Sequence, residues 1–443
     1  MGLFKLGKSR LFFLVLALQL ALLLIYLNDN IVNVGEMMGT GLSFLAFYIF
    51  FFVIVVFSLL LNRRIYLRFH FFIFMLLIFW ISYRTINDLG DMEYLKQITI
   101  ATTGGMLFFY ILGASIRVCY CDSYTNKGDV FLSKVALIVF FMLQLWMLYK
   151  FSFRLRSDIF YLVGVNGLYQ RAGNFLSISF IIVSFYYLQL MLNRVNKYIS
   201  ISLFFWLVIY TVSTLIALVG SQMFGSNSAT GVILGIYVVT LMMTLIISQK
   251  SLWINYINGR LALPFSKEII IKMCFMALIA FVFLMIILVL VIVISGFNVN
   301  SLRLVGFGLD TNTSLLSRIK ILLDLGETQL SYAPFFGNMN VAYLTVGDAG
   351  LFLHSFFPYV MANLGIVGLW CTLVLFISLL LQLYREGKSG ETIGLYDFQI
   401  SIVAIYSFLI FFYILFFANM TTSISWPVLW FTFGFISKPL GFK

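Results

Sequence analysis

The sequence predicts an all-α fold, a polytopic membrane helix bundle of about twelve transmembrane helices with a long extracytoplasmic loop before the tenth. Three observations carry this prediction. Hydrophobic residues make up 62% of the chain and charged residues 10%, against roughly 25% charged in a soluble domain. Apolar runs long enough to cross about 30 Å of hydrocarbon as helix recur from one end to the other. Polar segments between the runs are short, with two exceptions. One integral membrane domain, residues 1–443, is therefore expected, without a soluble domain.

In order, the spans fall near 10–27, 41–61, 69–83, 98–116, 133–150, 173–192, 199–219, 229–247, 269–295, 360–381, 398–418 and 424–437. The first has a basic start and an apolar run but no small-residue cleavage site before the NDNIVNVGE loop, and reads as a retained span. The seventh and eighth meet at GSQMFGSNSATG, a tight Gly- and Ser-rich turn. Arg385 to Lys388 separate the tenth from the eleventh.

Lysines and arginines concentrate on the segments that lie inside if both termini are cytoplasmic. The net charge of +12 thus reflects topology and anionic lipid contact, and not a nucleic-acid partner. Cys119 and Cys121 fall in an expected inner loop, Cys274 and Cys371 in spans. Neither a disulfide framework nor a zinc spacing is present. No span core holds Asp, Glu, Lys or Arg, so the chemistry belongs to the loops.

Two outer loops are candidates. Residues 150–172 carry Lys150, Arg154, Arg156 and Arg171 against the single acid Asp158, which reverses the positive-inside pattern. Residues 296–359 are too long to be a mere connection. Within them, 314–326 sets Leu315, Ile319, Leu322 and Leu323 at helical spacing around Arg318, Lys320 and Asp324, as in an amphipathic helix on the membrane surface. APFFGN and the Gly-rich VGDAG then break the chain before His354, which stands where it re-enters the membrane. Arginine forks match phosphate oxygens and keep their charge near lipid. Histidine, with an unperturbed pKa near 6.5, suits a base that activates a hydroxyl. Arginines beside a histidine fit transfer from a lipid-diphosphate donor.

This arrangement resembles the superfamily of O-antigen ligases and Wzy-type polysaccharide polymerases. HSFFPYVMANLGIVGL is similar to the family's histidine followed by a Gly-Ile-x-Gly turn into a span, here Gly365, Ile366, Val367 and Gly368. Ser317-Arg318 in a loop helix followed by PFFGN resembles the family's Ser-Arg helix and Pro-x-x-Gly turn. GLYQRAGN at 167–174 resembles a Gly-Leu-Phe motif whose Asn opens a span, with Gly173 where the family has Pro. SATG at 228–231 resembles a Ser-Arg-x-Gly motif, with Ala229 where ligases often have an arginine.

The resemblance implies a GT-C-like, metal-independent inverting glycosyltransferase without cofactor, acting at the outer face of the cytoplasmic membrane. A polymerase of this kind moves a growing glycan from undecaprenyl diphosphate onto a lipid-linked repeat unit; a ligase moves finished glycan to lipid A core. The implied partners are the lipid-linked donor and acceptor, membrane lipids, a chain-length regulator and a flippase. His354 is then the base, and Arg318 and Arg171 bind diphosphate with Arg154 and Arg156 as auxiliary charge.

Plainer readings stand beside these. His354 can be an interfacial ring, and Arg318 can reach from a surface helix to headgroups. Ser228, Gly231 and Gly235 read as a helix-packing stripe, and Asn174 as a span-start cap. Asp88, Asp91 and Glu93 form an acidic loop with a divalent metal as the rival use. From another class, a flippase shares the polytopic layout, but charge-free span cores disfavour it.

Overall fold

A computed structural model describes residues 66–122, 134, 137–146, 168–192, 201–223, 226–248, 312–347, 350, 353–389, 395–420, 424–437 and 440–441. The described chain is helical: α1 (Phe69–Asp88), α2 (Glu93–Asp122), α3 (Leu137–Trp146), α4 (Leu168–Leu192), α5 (Ile201–Met223), α6 (Asn227–Ser248), α7 (Asn312–Tyr332), α8 (Met339–Val346), α9 (Phe356–Ser389), α10 (Leu395–Met420) and α11 (Pro427–Ser437). One two-residue antiparallel pairing, Tyr66 with Gly441 and Leu67 with Leu440, is the exception.

Among the described residues, four segments are long and apolar enough to cross a membrane: Phe69–Asp88, Ala172–Leu192, Asn227–Ile247 and Phe356–Arg385. On α1 the residues Phe69, Phe72, Met75, Phe79, Tyr83 and Ile86 are exposed while Ile73, Phe74, Leu77 and Ile81 are buried. An apolar face this large is stable against hydrocarbon and unfavourable against water. The expected spans near 10–27, 41–61 and 269–295, and the loop arginines Arg154 and Arg156, lie outside the described residues.

Several helices outrun the expected spans, because helical hydrogen bonding does not stop where apolar sequence stops. α1 continues past residue 83 to Asp88 on an Arg84–Asp88 pair at i, i+4. α2 runs through Cys119 and Cys121, which lie in its last turns rather than in a loop. α4 begins at Leu168, so Arg171 belongs to its first turn and not to a loop, and Asn174 lies inside the helix rather than capping it. α9 begins at Phe356 instead of 360, and the loop helix runs 312–332 instead of 314–326. Helix α8 went unforeseen.

The chain divides into two compact units. The first comprises Met1–Asp122, Thr311–Gln382 and Phe411–Lys443. Its core is aromatic: Phe74 stacks on Tyr110 at 4.0 Å and meets Trp430 at 5.2 Å, and Phe376 packs edge-on against Phe433 and Phe411. α2 and α11 touch backbone to backbone; a Cβ on Gly434 would lie 2.6 Å from the Tyr110 carbonyl carbon.

The second unit, Ser123–Asp310 and Leu383–Ile410, packs α4 against α5 and α6. Residues 172–192 of α4 are buried all round except at Asn174, as expected of a helix apolar on every side. Several buried polar groups of the unit pair with one another: Ser184 with Tyr210, Ser213 with Gln144, Thr240 with Tyr406, and Ser221 with Thr230. On α6 the stripe Ser228, Gly231 and Gly235 is half-buried, and the buried face is Val232, Ile233, Ile236 and Tyr237. Close approach is made at Gly173 of α4 instead.

Candidate functional site

In the first unit the site is organised by a break. α9 is interrupted at Gly365, whose φ of 65° and ψ of −164° only glycine adopts without strain. The interruption frees the amides of Ile366 and Val367, and the APFFGN turn meets them. Pro334 O accepts from Ile366 N at 3.0 Å, and Phe335 O accepts from Val367 N at 3.1 Å. Gly337, with φ 67°, lies against the break: a Cβ there would fall 2.6 Å from Gly365 N. The APFFGN turn and the break at Gly365 are one structural feature.

A stripe of α1 fastens that feature. Trp80, Arg84 and Asp88, spaced i, i+4 and i+8, share one helix face. Trp80 Nε1 donates to Leu364 O at 3.3 Å, on the other side of the break. Arg84 Nη2 donates to Gly337 O at 2.6 Å and pairs with Asp88 Oδ2 at 2.8 Å. Asp88 Oδ2 also accepts from Met339 N at 2.9 Å, in the first turn of α8. Asn338 caps α8, its Oδ1 accepting from Asn340 N and Val341 N, while its carbonyl accepts from Gln329 Nε2 of α7 at 2.7 Å.

Asp88 is thus held by Arg84 and Met339 rather than turned to a cation. Asp91 and Glu93 are exposed, and among the described residues no group of His, Cys, Asp and Glu converges as metal ligands.

His354 lies in a bend two residues before α9, exposed. The backbone on its C-terminal side is pinned from α10. Ser355 Oγ donates to Asn419 O at 2.8 Å, and Asn419 Oδ1 accepts from Phe357 N at 3.0 Å. Asn363, fully buried, donates to Gly350 O at 3.0 Å and ties the chain before the histidine to the first half of α9.

Arg318 lies in the second turn of α7. Farther along α7, Leu325, Gly326 and Gln329 form one wall of a mostly apolar cavity of about 110 Å³, completed by Pro334, Leu353, Pro358, Met361 and Ala362. The Arg318 helix, the APFFGN turn, the residue before His354 and the first half of α9 therefore enclose one space.

Within the second unit, the end of GLYQRAGN meets the start of α6. A Cβ on Gly173 would fall on Ser226 Oγ and 3.2 Å from Ala229 Cβ. Ala229 is 2% exposed, because α4 and the start of α6 press together there. Arg171 precedes this contact in the first turn of α4.

Comparison with protein-family models, with curated proteins and with solved structures gives no match.

Sequence reasoning missed Trp80, Arg84, Asn363 and Asn419, and assigned Asp88 to an acidic loop. A signal existed for the first two and Asp88: their spacing of i, i+4, i+8 sets Trp80, Arg84 and Asp88 on one helix face. Asn419, alone among the apolar residues of FFYILFFANM, was another.

Proposed function

We propose that this chain is a cytoplasmic-membrane polymerase of lipid-linked glycan repeat units, with about twelve spans, a GT-C-like bundle and both termini cytoplasmic. The observation that carries the reading is the meeting of the likeness segments: Gly337 against Gly365 in the first unit, and Gly173 against Ser226 and Ala229 in the second. Segments far apart in sequence are neighbours in space.

In this reading the acceptor hydroxyl attacks the anomeric carbon of the donor glycan. The new glycosidic bond forms as the bond to the diphosphate oxygen breaks, lipid diphosphate leaves, and His354 takes the hydroxyl proton. Arg318 and Arg171 hold diphosphate oxygens, and Arg154 and Arg156 add positive charge. No metal or cofactor takes part. The donor and acceptor are undecaprenyl-diphosphate-linked, and a chain-length regulator and a flippase work beside the enzyme.

A strain lacking the gene tests this. A polymerase defect leaves lipid A core bearing a single repeat unit. Polymer stranded on undecaprenyl diphosphate would identify a ligase instead, and lipid-linked repeats held on the inner leaflet would identify a flippase.

A further inference from the structure

The 333–337 turn is an oddity if it belongs to a water-exposed loop. Phe335 and Phe336 are 65% and 56% exposed, with Tyr332 just before the turn and Leu344 on α8 at 70% each. These rings do not stand alone. Phe336 lies 6.1 Å from Trp80, Trp80 stacks on Tyr83 at 5.6 Å, and Tyr83 on Phe79 at 6.4 Å. Phe79 and Tyr83 belong to the exposed apolar face of α1, a helix long and apolar enough to cross a membrane. The turn prolongs that face without interruption.

Depth agrees with continuity. Trp80 lies three residues, about 4.5 Å at a rise of about 1.5 Å per residue, inside residue 83, where the apolar run of α1 ends, and it hydrogen-bonds Leu364 O beside the break. The break and the turn stand level with the last apolar turn of that helix. Non-helical backbone survives at such depth only when protein groups satisfy it. Here the carbonyls of Pro334, Phe335, Gly337 and Asn338 accept from Ile366 N, Val367 N, Arg84 and Gln329 respectively. The amides of Gly337 and Met339 donate to Ala333 O and Asp88.

We propose that the 333–337 turn is a re-entrant element immersed in the bilayer, with Phe335 and Phe336 packed against lipid acyl chains as a continuation of the α1 lipid face. The inference does not rest on the polymerase reading: a transporter with the same fold would hold the turn at the same depth.

Spin labels on the full chain in phosphatidylethanolamine–phosphatidylglycerol liposomes test it. Single cysteines replace Phe335 or Phe336 in a background without the four native cysteines, with Phe79→Cys as the lipid reference and Asp324→Cys as the aqueous one. Both rings are exposed, so neither substitution empties a packed core. Labels at 335 and 336 are expected to match Phe79→Cys, colliding several-fold more with oxygen than with a water-soluble nickel chelate, and to oppose Asp324→Cys. Nickel collision like that of Asp324→Cys would put the turn in water and overturn the proposal. Low collision with both reagents would mean that a second copy or another protein covers the rings, which also overturns it. A nickel-accessible label at Phe79→Cys would remove the lipid face on which the proposal stands.

Discussion

Gly337 and Gly365, brought together from two turns, touch backbone to backbone: a Cβ on Gly337 would lie 2.5 Å from the Asn363 carbonyl carbon and 2.6 Å from Gly365 N. Both have positive φ, so two constraints fall on each residue, the dihedral and the space.

Alanine at either glycine should therefore cost about 1–3 kcal/mol for the dihedral alone, with the overlap in addition. Gly104→Ala, in α2 with open space around it, should instead gain up to about 1 kcal/mol. Unfolding in mixed micelles with increasing sodium dodecyl sulfate compares the three. Equal midpoints would mean that the turn and the break do not depend on their contact.

The Arg84–Asp88 pair is largely buried, at 14% and 6% side-chain exposure, and both partners also hold the turn or α8. Replacing either with alanine strands a charge-assisted hydrogen bond and should cost roughly 2–3 kcal/mol. The double variant should cost less than the two losses together, with a coupling of about 1 kcal/mol or more. Additive losses in the same micelle titration would show that the residues act separately.

Asn419 fixes the start of α9 through Phe357 N and Ser355 Oγ. Asn419→Ala should weaken that start by about 1 kcal/mol. The amide of Phe357 should then exchange hydrogen several-fold faster in mass-spectrometric exchange, while amides in the middle of α10 keep their protection. Unchanged exchange at Phe357 would mean that the bend at His354 is held by other means.

Ala229→Arg should fail. A buried, unpaired charge at a helix contact costs several kcal/mol, and Gly173 leaves no space for the stem. Size-exclusion of a fluorescent-protein fusion should show loss of the monodisperse peak, and Ala229→Ser should keep it. A well-folded Ala229→Arg would show that the α4–α6 contact opens without penalty.

The four described spans were legible because apolar runs declare themselves, and α7 was legible because Leu315, Ile319, Leu322 and Leu323 repeat at helical spacing. Their ends were not: hydropathy ends where hydrocarbon ends, and α1 and α4 go on under backbone hydrogen bonding and, at Arg84–Asp88, an ion pair. The meeting of APFFGN with Gly365 was legible only as two separate turns. Nothing local in either says that the carbonyls of one serve the amides freed by the other. Trp80 and Asn419 escaped for the same reason, since each acts on backbone far away in sequence. His354 and Arg318 were chosen for chemical type, and their segments share the cavity walled by Leu325, Pro334 and Leu353.

The most direct test of the central claim is a glycan ladder from a deletion strain expressing the wild type, His354→Ala or Arg318→Ala, with membrane levels matched through an epitope tag. Polymerisation that depends on the proton acceptor and the diphosphate clamp predicts single-repeat product from both variants at wild-type abundance. A full ladder from both would contradict it, leaving His354 an interfacial ring and Arg318 a headgroup contact.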